Sequence, residues 1–255
     1  MTGWDDHRLR LVKKDVEGER GVLVLEAPEL AEAMRPGQFL HLEAPGHLLR
    51  RPMAPAVFGG RVVVFLRARG AGTRALLAAP EGTVLRALGP LGNAFPEPEG
   101  RAVLVSGGTG IGPLLFLARA LVKKGFDVLH LHGARDAGEA LYLPYLRASG
   151  AELRFFTEDG SLGEPGRPTD ALPFVLRPGD TLYAVGPEPM MEAATRVAKT
   201  LALPAYVSLE AHMACGVGAC LSCAVQTNKG QKHICVDGPI FAAEDVFFAE
   251  TPQLG

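Results

Sequence analysis

Residues 102–125 read AVLVSGGTGIGPLLFLARALVKKG and join three local patterns that indicate the fold of this part of the chain. The opening AVLVS is a short apolar run and predicts a buried strand. The glycines of SGGTGIGP predict a tight turn. The apolar LLFLARALVKK, followed by Gly125, predicts a helix with basic residues in its last turn and a glycine cap. Strand, glycine turn and helix in succession indicate the start of a βαβ unit.

The alternation of strand and helix continues toward the C-terminus. Three segments predict further strands: DVLHLHGAR, ELRFFT and TLYAVG. Two segments predict helices: EALYLPYLRAS and EPMMEAATRVAKTL. This order predicts a parallel sheet. AYVSLE, at residues 205–210, is predicted to be the last strand, and a cysteine-rich segment follows it.

The first hundred residues show a different pattern, with short strands separated by turns. GVLVLEAP, GQFLHLEAPG and RVVVFLRA predict strands with no long amphipathic helix between them. Gly59 and Gly60 stand between MAPAVF and RVVVFLRA, which predicts a two-residue hairpin. These features predict a small antiparallel β-barrel.

Composition and charge restrict the class of protein. The chain has 255 residues, is 47% hydrophobic and 21% charged, and has a net charge of −2. This profile is typical of a folded protein and gives no basic field for nucleic acid or an anionic membrane. The start MTGWDDHRLR lacks the basic and apolar segments of a secretory signal. We therefore expect a cytoplasmic protein that binds neither nucleic acid nor membrane.

All four cysteines lie in one segment, spaced C-x4-C-x2-C-x11-C. This is the plant-type spacing of a [2Fe–2S] cluster, which predicts four ligands: Cys215, Cys220, Cys223 and Cys235. A structural zinc site usually takes its cysteines as two short knuckles, and here the second knuckle is missing. A Rieske centre would need two histidine ligands. Zinc and unligated core cysteines stay open as alternatives.

The glycine turn after AVLVS stands where a nucleotide pyrophosphate binds in α/β proteins, at a strand end and a helix start. VGPEPMM repeats this arrangement after a later strand. Asp136 would accept a hydrogen bond from a free ribose hydroxyl and favours NAD, whereas Arg135 would suit the 2′-phosphate of NADP. The predicted NAD residues are Gly108, Thr109, Gly110, Gly112, Pro113, Asp136, Gly186 and Pro187. The alternative interpretation of the turn is tight strand–helix packing.

The whole chain resembles the electron-transfer subunit of B-type, NAD-linked dihydroorotate dehydrogenase, within the ferredoxin-reductase-like flavoproteins. Seven segments carry the resemblance: LLRRPMAP, GAGTRAL, GPLGNAF, SGGTGIGPLLFLA, TEDGSLG, VGPEPMM and CGVGACLSCAV…CVDGPIF. It implies a β-barrel FAD domain at residues 1–98, a parallel-sheet NAD domain at 99–208 and a [2Fe–2S] segment at 209–255.

The resemblance also implies an FAD site on the barrel, with Arg51 as the phosphate clamp. The residues carried over are Arg51, Pro52, Met53, Ala54, Phe65, Leu66, Arg67, Gly72 and Thr73. Ala54 stands where the family has a serine, so one hydroxyl contact to FAD is lost. A surface arginine is the alternative interpretation of Arg51.

The resemblance implies a function that the residues alone do not give. A chain with FAD, a [2Fe–2S] cluster and NAD(H) would link two-electron transfer at the nicotinamide to one-electron transfer at the cluster. The implied partner is an FMN-containing subunit that oxidises dihydroorotate in pyrimidine biosynthesis, within a hetero-oligomer such as a heterotetramer. No residue of this chain is assigned to dihydroorotate chemistry. The alternatives are a related subunit of a hydrogenase, sulfide dehydrogenase or ferredoxin:NADP reductase complex, and a non-enzymatic zinc-stapled module.

Overall fold

The computed structural model describes residues 4–248, which form two seven-stranded sheets and one two-stranded sheet. The first sheet is antiparallel, and the second is parallel apart from one edge strand. Among the described residues, no helix is long and apolar enough to cross a membrane.

The first sheet is an antiparallel half-barrel with the strand order β4-β3-β7-β1-β2-β6-β5. Its strands are β1 (Asp5–Glu17), β2 (Arg20–Glu26), β3 (Phe39–Leu42), β4 (Arg51–Met53), β5 (Ala56–Phe58), β6 (Arg61–Arg67) and β7 (Val84–Leu91). Two short helices, α1 (Pro28–Ala33) and α2 (Ala71–Ala78), connect them.

The predicted hairpin between β5 and β6 is confirmed. Phe58 pairs with Arg61, and Gly59 and Gly60 between them have φ values of 54° and 75°. A two-residue turn of this hand requires positive φ at both positions, which glycine adopts without a Cβ penalty. The turn therefore fixes the register that buries Val62 and Val64 in the core of the half-barrel.

The second sheet has the order β11-β10-β9-β8-β12-β13-β16. Its strands are β8 (Ala102–Gly107), β9 (Val128–Ala134), β10 (Glu152–Thr157), β11 (Glu164–Pro165), β12 (Thr181–Val185), β13 (Ala205–Ser208) and β16 (Ile240–Ala242). Its helices are α3 (Ile111–Lys123), α4 (Leu143–Arg147), α5 (Pro168–Val175) and α6 (Glu188–Thr200). The predicted mixture of an antiparallel barrel-like sheet and a parallel α/β sheet is confirmed.

Two local predictions differ from the structure. β13 is not the last strand, because β16 comes back from the cysteine segment and pairs antiparallel with it. EALYLPYLRAS does not form one helix: a 3₁₀ helix at Ala137–Tyr142 precedes the five-residue α4. Pro144 lies in the first turn of α4, where its missing N–H costs no helical hydrogen bond.

The half-barrel and the parallel sheet share a buried interface. Val22, Val63 and Phe65 from the half-barrel pack with Ile111 and Leu115 from α3 in one hydrophobic cluster. Apolar burial of this kind contributes roughly 25 cal/mol per Å². This buried interface joins the two sheets beside the groove between them.

The cysteine segment forms a third layer against both sheets. It contains β14 (Ala224–Thr227), β15 (Gly230–His233) and the short α7 (Ile234–Asp237). Asn93 in the half-barrel anchors it: its side-chain N–H groups donate to Asp237 O at 3.1 Å and Ile240 O at 2.9 Å, and its Oδ1 accepts from Ile240 N at 2.9 Å. The asparagine of GPLGNAF thus orders the C-terminal part of this segment.

Candidate redox site

A cavity of about 450 Å³ lies between the half-barrel, the glycine turn and the segment after β13. Seven of the predicted FAD residues line it: Pro52, Met53, Ala54, Phe65, Leu66, Arg67 and Thr73. Its volume is in the usual range for a cofactor pocket, and its lining is largely apolar with a few polar groups. The cavity therefore fits the ring system of a flavin.

The other two predicted FAD residues, Arg51 and Gly72, lie outside this lining but touch each other. A Cβ built on Gly72 would overlap the guanidinium of Arg51. The guanidinium also donates to the carbonyl oxygens of Leu49 and Arg50. Gly72 is thus needed for the close approach of the arginine. LLRRPMAP and GAGTRAL, two of the segments that carry the family resemblance, therefore meet in space.

Thr73 closes the start of α2. Its hydroxyl donates to Gly70 O at 3.1 Å and accepts from Gly70 N at 3.1 Å and Arg69 N at 3.0 Å. The side chain is therefore held in one orientation at the edge of the cavity. An anionic group placed there would meet the N-terminus of an eight-residue helix.

A second cavity, of about 350 Å³, opens above the glycine turn at the carboxyl ends of the parallel strands. Five arginines line it, together with two carboxylates: Arg20, Arg67, Arg69, Arg135 and Arg167, with Glu139 and Glu158. This concentration of guanidinium groups suits a ligand with several negative charges, such as a dinucleotide pyrophosphate. Arg67, Arg69 and Thr109 line both cavities, so the two meet.

The predicted NAD residues divide between the two cavities. Gly108, Thr109 and Pro187 line the arginine-rich cavity, whereas Gly110 and Pro113 line the other. Gly112 and Gly186 line neither cavity, and both are closely packed: a Cβ on Gly112 would overlap the carbonyl oxygen of Ala54. A Cβ on Gly186 would lie 3.0 Å from Gly107 N.

Asp136 also lies outside the lining of both cavities. Its carboxylate accepts from Gly138 N at 2.7 Å, caps the following 3₁₀ helix and lies 3.6 Å from Arg20. Arg135 does line the arginine-rich cavity. The role predicted for Asp136 in reading the ribose stays a prediction.

Four buried polar side chains form a chain below the arginine-rich cavity. Ser106 Oγ lies 2.8 Å from His130 Nε2 and 2.7 Å from His132 Nδ1, and His132 Nε2 lies 3.4 Å from Glu139 Oε2. Burial, with a smaller contribution from His132, lowers the pKa of His130 to about 3. His130 is therefore neutral at physiological pH, and the serine hydroxyl can donate to one ring and accept from the other.

The four cysteine sulfurs come from one loop and one short helix. Cys223 Sγ and Cys235 Sγ lie 3.3 Å apart and are buried, whereas Cys215 is half-buried and Cys220 is exposed. Backbone N–H groups point at the sulfurs: Val217 N and Cys220 N at Cys215 Sγ, both at 3.4 Å, and Gly218 N at Cys235 Sγ, at 3.2 Å.

This donor set fits a two-iron cluster. Each iron of a [2Fe–2S] cluster takes two cysteines, and the structure pairs Cys223 with Cys235 and brings the Cys220 backbone to Cys215 Sγ. N–H groups that face the sulfurs are the partners that thiolate ligands require. Gly216 and Gly218, with φ of 74° and 81°, give the loop its tight path. Among residues 4–248, no three His, Cys, Asp or Glu side chains converge as single-metal ligands do.

The structure adds lining residues that sequence analysis missed. The last residue of β13 and the five residues after it line the flavin-sized cavity: Ser208, Leu209, Glu210, Ala211, His212 and Met213. Their position after a parallel strand was a usable signal, because strand ends of such sheets form the ligand crevice. Arg20, Arg69 and Arg167 come from distant parts of the chain, and no local pattern connects them.

Comparison with known proteins agrees with this geometry. The model of the iron-sulfur cluster binding domain of dihydroorotate dehydrogenase B matches residues 210–247. One similar solved structure is that of the NADH-dependent reduced ferredoxin-NADP oxidoreductase, reported for flavin-based electron bifurcation. It is 32% identical in sequence and superposes with a TM-score of 0.84. The match covers 94% of this chain and 90% of that one. The ferredoxin reductase of carbazole 1,9a-dioxygenase shares the fold, with 21% identity and a TM-score of 0.66.

Fold and site together define the class as ferredoxin-reductase-like oxidoreductase subunits with an additional iron–sulfur segment. The dihydroorotate dehydrogenase B (NAD(+)) electron transfer subunit of Shouchella clausii is 39% identical over 94% of this chain and 97% of its own length. That of Bacillus caldolyticus is 37% identical over the same shares. The chain belongs to this family of electron transfer subunits.

Membership of this family confirms the resemblance found in the sequence and the class of an NAD-linked electron transfer subunit of an oxidoreductase. It also supports the predicted cofactor set of FAD, a [2Fe–2S] cluster and NAD(H). The individual ligand residues, the domain boundaries and the cytoplasmic location stay predictions.

Proposed function

We propose that this chain transfers electrons between a partner subunit that oxidises dihydroorotate and NAD(+), in pyrimidine biosynthesis. The observation that carries the proposal is the cavity lined by seven predicted FAD residues, which lies between the arginine-rich cavity and the segment leading into the cysteines. Three sites arranged in this order provide a path for electrons through the chain.

A bound flavin would exchange a hydride with nicotinamide and single electrons with a [2Fe–2S] cluster. Arg67, Arg69 and Thr109 belong to both cavities, so they would surround the place where nicotinamide meets the flavin. Phe65 and Met53 would pack against the ring system and keep water from it. Arg51, held against Gly72, would bind phosphate.

In the arginine-rich cavity, the glycine turn and the guanidinium groups would bind the dinucleotide phosphates. Gly108 has φ of 55°, and the 3₁₀ helix at Gly108–Gly110 runs directly into α3. This brings backbone N–H groups and a helix N-terminus to the mouth of the cavity. Arg135 and Arg167 would add charge-assisted hydrogen bonds.

At the other end of the path, Cys215, Cys220, Cys223 and Cys235 would hold the cluster. Cys220 is exposed, and so are two apolar neighbours of the ligands, Leu221 at 57% and Val236 at 54%. Exposed apolar side chains beside a redox group suit contact with a partner protein. We propose an FMN-containing catalytic subunit as this partner, in a hetero-oligomer, with electrons passing from it to the cluster, the flavin and NAD(+).

The experiment is an anaerobic visible-spectrum titration of the reconstituted chain with NADH and then NADPH, followed by NAD(+) reduction with dihydroorotate after the partner subunit is added. We expect NADH to bleach flavin and cluster bands together. The Cys223→Ala variant should keep flavin bleaching and lose the cluster bands and the coupled reaction.

Gln226→Ala is the control within the same segment, because Gln226 lies on β14 with an exposed side chain and contributes no sulfur. It should keep the cluster. The proposal is wrong if the reconstituted wild-type chain binds zinc and no flavin, or if flavin and cluster are both present but NADH reduces neither.

A second candidate function is suggested by the 32% identical NADH-dependent reduced ferredoxin-NADP oxidoreductase structure. In this case the chain would serve a ferredoxin:NADP reductase complex, with a partner other than a subunit that oxidises dihydroorotate. The dihydroorotate arm of the same experiment separates the candidates, because a chain of this second kind would bleach with NADH but support no dihydroorotate-dependent NAD(+) reduction.

A further inference from the structure

His41 is a buried polar residue on an otherwise apolar strand. β3 reads Phe39, Leu40, His41 and Leu42, and all four residues are buried. Leu40 and Leu42 belong to the core of the half-barrel, so alternation directs Phe39 and His41 to the opposite face. On that face Phe39 packs in one cluster with Cys223 and Cys235. His41 therefore faces the cysteine segment from a site where an apolar residue would pack at lower cost.

The imidazole contacts the loop that contains the first two cysteine ligands. A Cβ built on Gly216 would lie 3.0 Å from His41 Nδ1, so the backbone of Gly216 passes directly over this nitrogen. Burial lowers the pKa of His41, and the neighbouring backbones of Cys215 and Arg50 oppose this effect. His41 Nε2 has no hydrogen-bond partner among the described residues. The contact with the cluster loop is thus made through the Nδ1 side of the ring.

Cys215 and Gly216 lead into the N–H groups that face a ligand sulfur. Val217 N and Cys220 N both lie 3.4 Å from Cys215 Sγ. A displacement of Gly216 would move these donors relative to the sulfur. On its other side, His41 pairs with Pro52 of β4, which lines the flavin-sized cavity. His41 is therefore next in the sheet to a residue of the flavin-sized cavity, and its ring contacts the loop around the cluster.

We propose that His41 is a positioning residue for the iron–sulfur cluster: through Nδ1 it holds Cys215 and Gly216 so that the N–H groups of Val217 and Cys220 bond the Cys215 sulfur. The proposal rests on the proposed binding of a [2Fe–2S] cluster by the four cysteines. Hydrogen bonds to ligand sulfurs stabilise the reduced cluster, which carries one more negative charge, and outer contacts of this kind commonly affect metal retention.

The test compares three variants of the full chain after anaerobic reconstitution with iron and sulfide. The amide nitrogen of His41→Asn takes approximately the place of Nδ1, that of His41→Gln approximately the place of Nε2, and His41→Leu has neither. The readouts are the electron paramagnetic resonance spectrum of the reduced cluster, its midpoint potential, and the rate of iron loss to a chelator.

We expect His41→Leu to shift the midpoint potential to more negative values, to change the spectrum, and to lose iron roughly tenfold faster. His41→Asn should return all three readouts toward wild type, and His41→Gln should resemble His41→Leu. His7→Leu is the matched control, because His7 lies in the same sheet and its ring bonds Gly89 O at 3.2 Å. It should leave the three readouts unchanged.

The proposal is overturned if His41→Leu keeps the wild-type spectrum and potential, or if Gln restores them and Asn does not. If His41→Leu fails to fold, the comparison of Asn with Gln still decides the result, because both are polar and of similar shape. A wild-type chain that binds no cluster after reconstitution would instead refute the proposed function, so the two failures are distinguishable.

Discussion

Gly112 in the first turn of α3 lies against the backbone carbonyl of Ala54 in the half-barrel, and a Cβ at position 112 would overlap that oxygen. The same Cβ would lie 3.5 Å from Phe65, which lines the flavin-sized cavity. This glycine therefore sets how closely the two sheets approach each other beside the proposed cofactor site.

We predict that Gly112→Ala destabilises the chain by about 1–3 kcal/mol, because the backbone oxygen cannot move aside as a flexible side chain could. Flavin content should also fall. The measurements are urea unfolding and flavin absorbance after purification. Gly70→Ala is the control, since its Cβ would meet no atom within 4 Å and its φ of −146° suits any residue. Equal stability of the two variants would contradict the prediction.

We predict that Gly72→Ala weakens FAD binding while the chain stays folded. The added Cβ would displace the guanidinium of Arg51, which is the end of a flexible side chain. Loss of one charge-assisted phosphate contact costs about 1.5–3 kcal/mol, or roughly 10- to 100-fold in the dissociation constant. Fluorescence titration of the apoprotein with FAD measures the change.

Two arginine variants complete the FAD experiment. Arg51→Gln should reproduce the weakening caused by Gly72→Ala. Arg50→Gln is the control, because Arg50 pairs with Asp6 at 3.1 Å and should affect FAD binding little. If Arg50→Gln weakens binding as much as Arg51→Gln does, Arg51 is not the phosphate clamp.

We predict that the Arg101–Asp180 pair stabilises the base of the parallel sheet. Arg101 Nε and Nη2 donate to the Asp180 carboxylate at 3.0 and 2.7 Å, and Nη2 also donates to Val175 O at 2.6 Å. Arg101→Met would leave a buried carboxylate without its partner, at a cost of about 3–5 kcal/mol. Chemical unfolding monitored by circular dichroism measures it.

The exposed pair Arg196–Glu192 gives the comparison for this prediction, with side chains 72% and 35% exposed. Arg196→Met should cost no more than about 0.5 kcal/mol, because water screens the attraction. A loss of similar size in both variants would mean that the Arg101 pair adds nothing beyond a surface ion pair.

We predict that His130 makes the chain less stable as the pH falls. Its folded pKa of about 3 lies below the ordinary histidine pKa of about 6.5, because burial, and less strongly His132, disfavours the charged ring. Between these two values the unfolded chain binds a proton that the folded chain does not. Stability from this residue therefore falls by up to about 1.4 kcal/mol per pH unit below pH 6.5.

The measurement is the midpoint of urea unfolding at several pH values between 4.5 and 7. His130→Gln should show a shallower loss toward low pH than the wild type, since an amide has no proton to take up in this range. His47→Gln, which changes a half-buried histidine in a loop, should retain the wild-type slope. A His130→Gln slope as steep as that of the wild type would rule out this role.

Several parts of the fold were predictable because they depend on neighbouring residues. The Gly59–Gly60 hairpin and the glycine turn before α3 follow from the φ values that glycine allows. The cysteine spacing predicted an iron–sulfur segment that the matching family model supports. β16 was missed because its three residues have no periodicity of their own, and pairing with β13 decides their conformation.

The sequence by itself determined the alternation of strands and helices, the positions of the turns and the grouping of four cysteines, because each depends on residues close together in the chain. Only the tertiary structure decided which groups meet. Packing of the two sheets brings Arg20, Arg67 and Arg167 to one cavity and places the ring of His41 on Gly216. Such contacts join residues far apart in the sequence, and the free energy of burying the shared interface selects them.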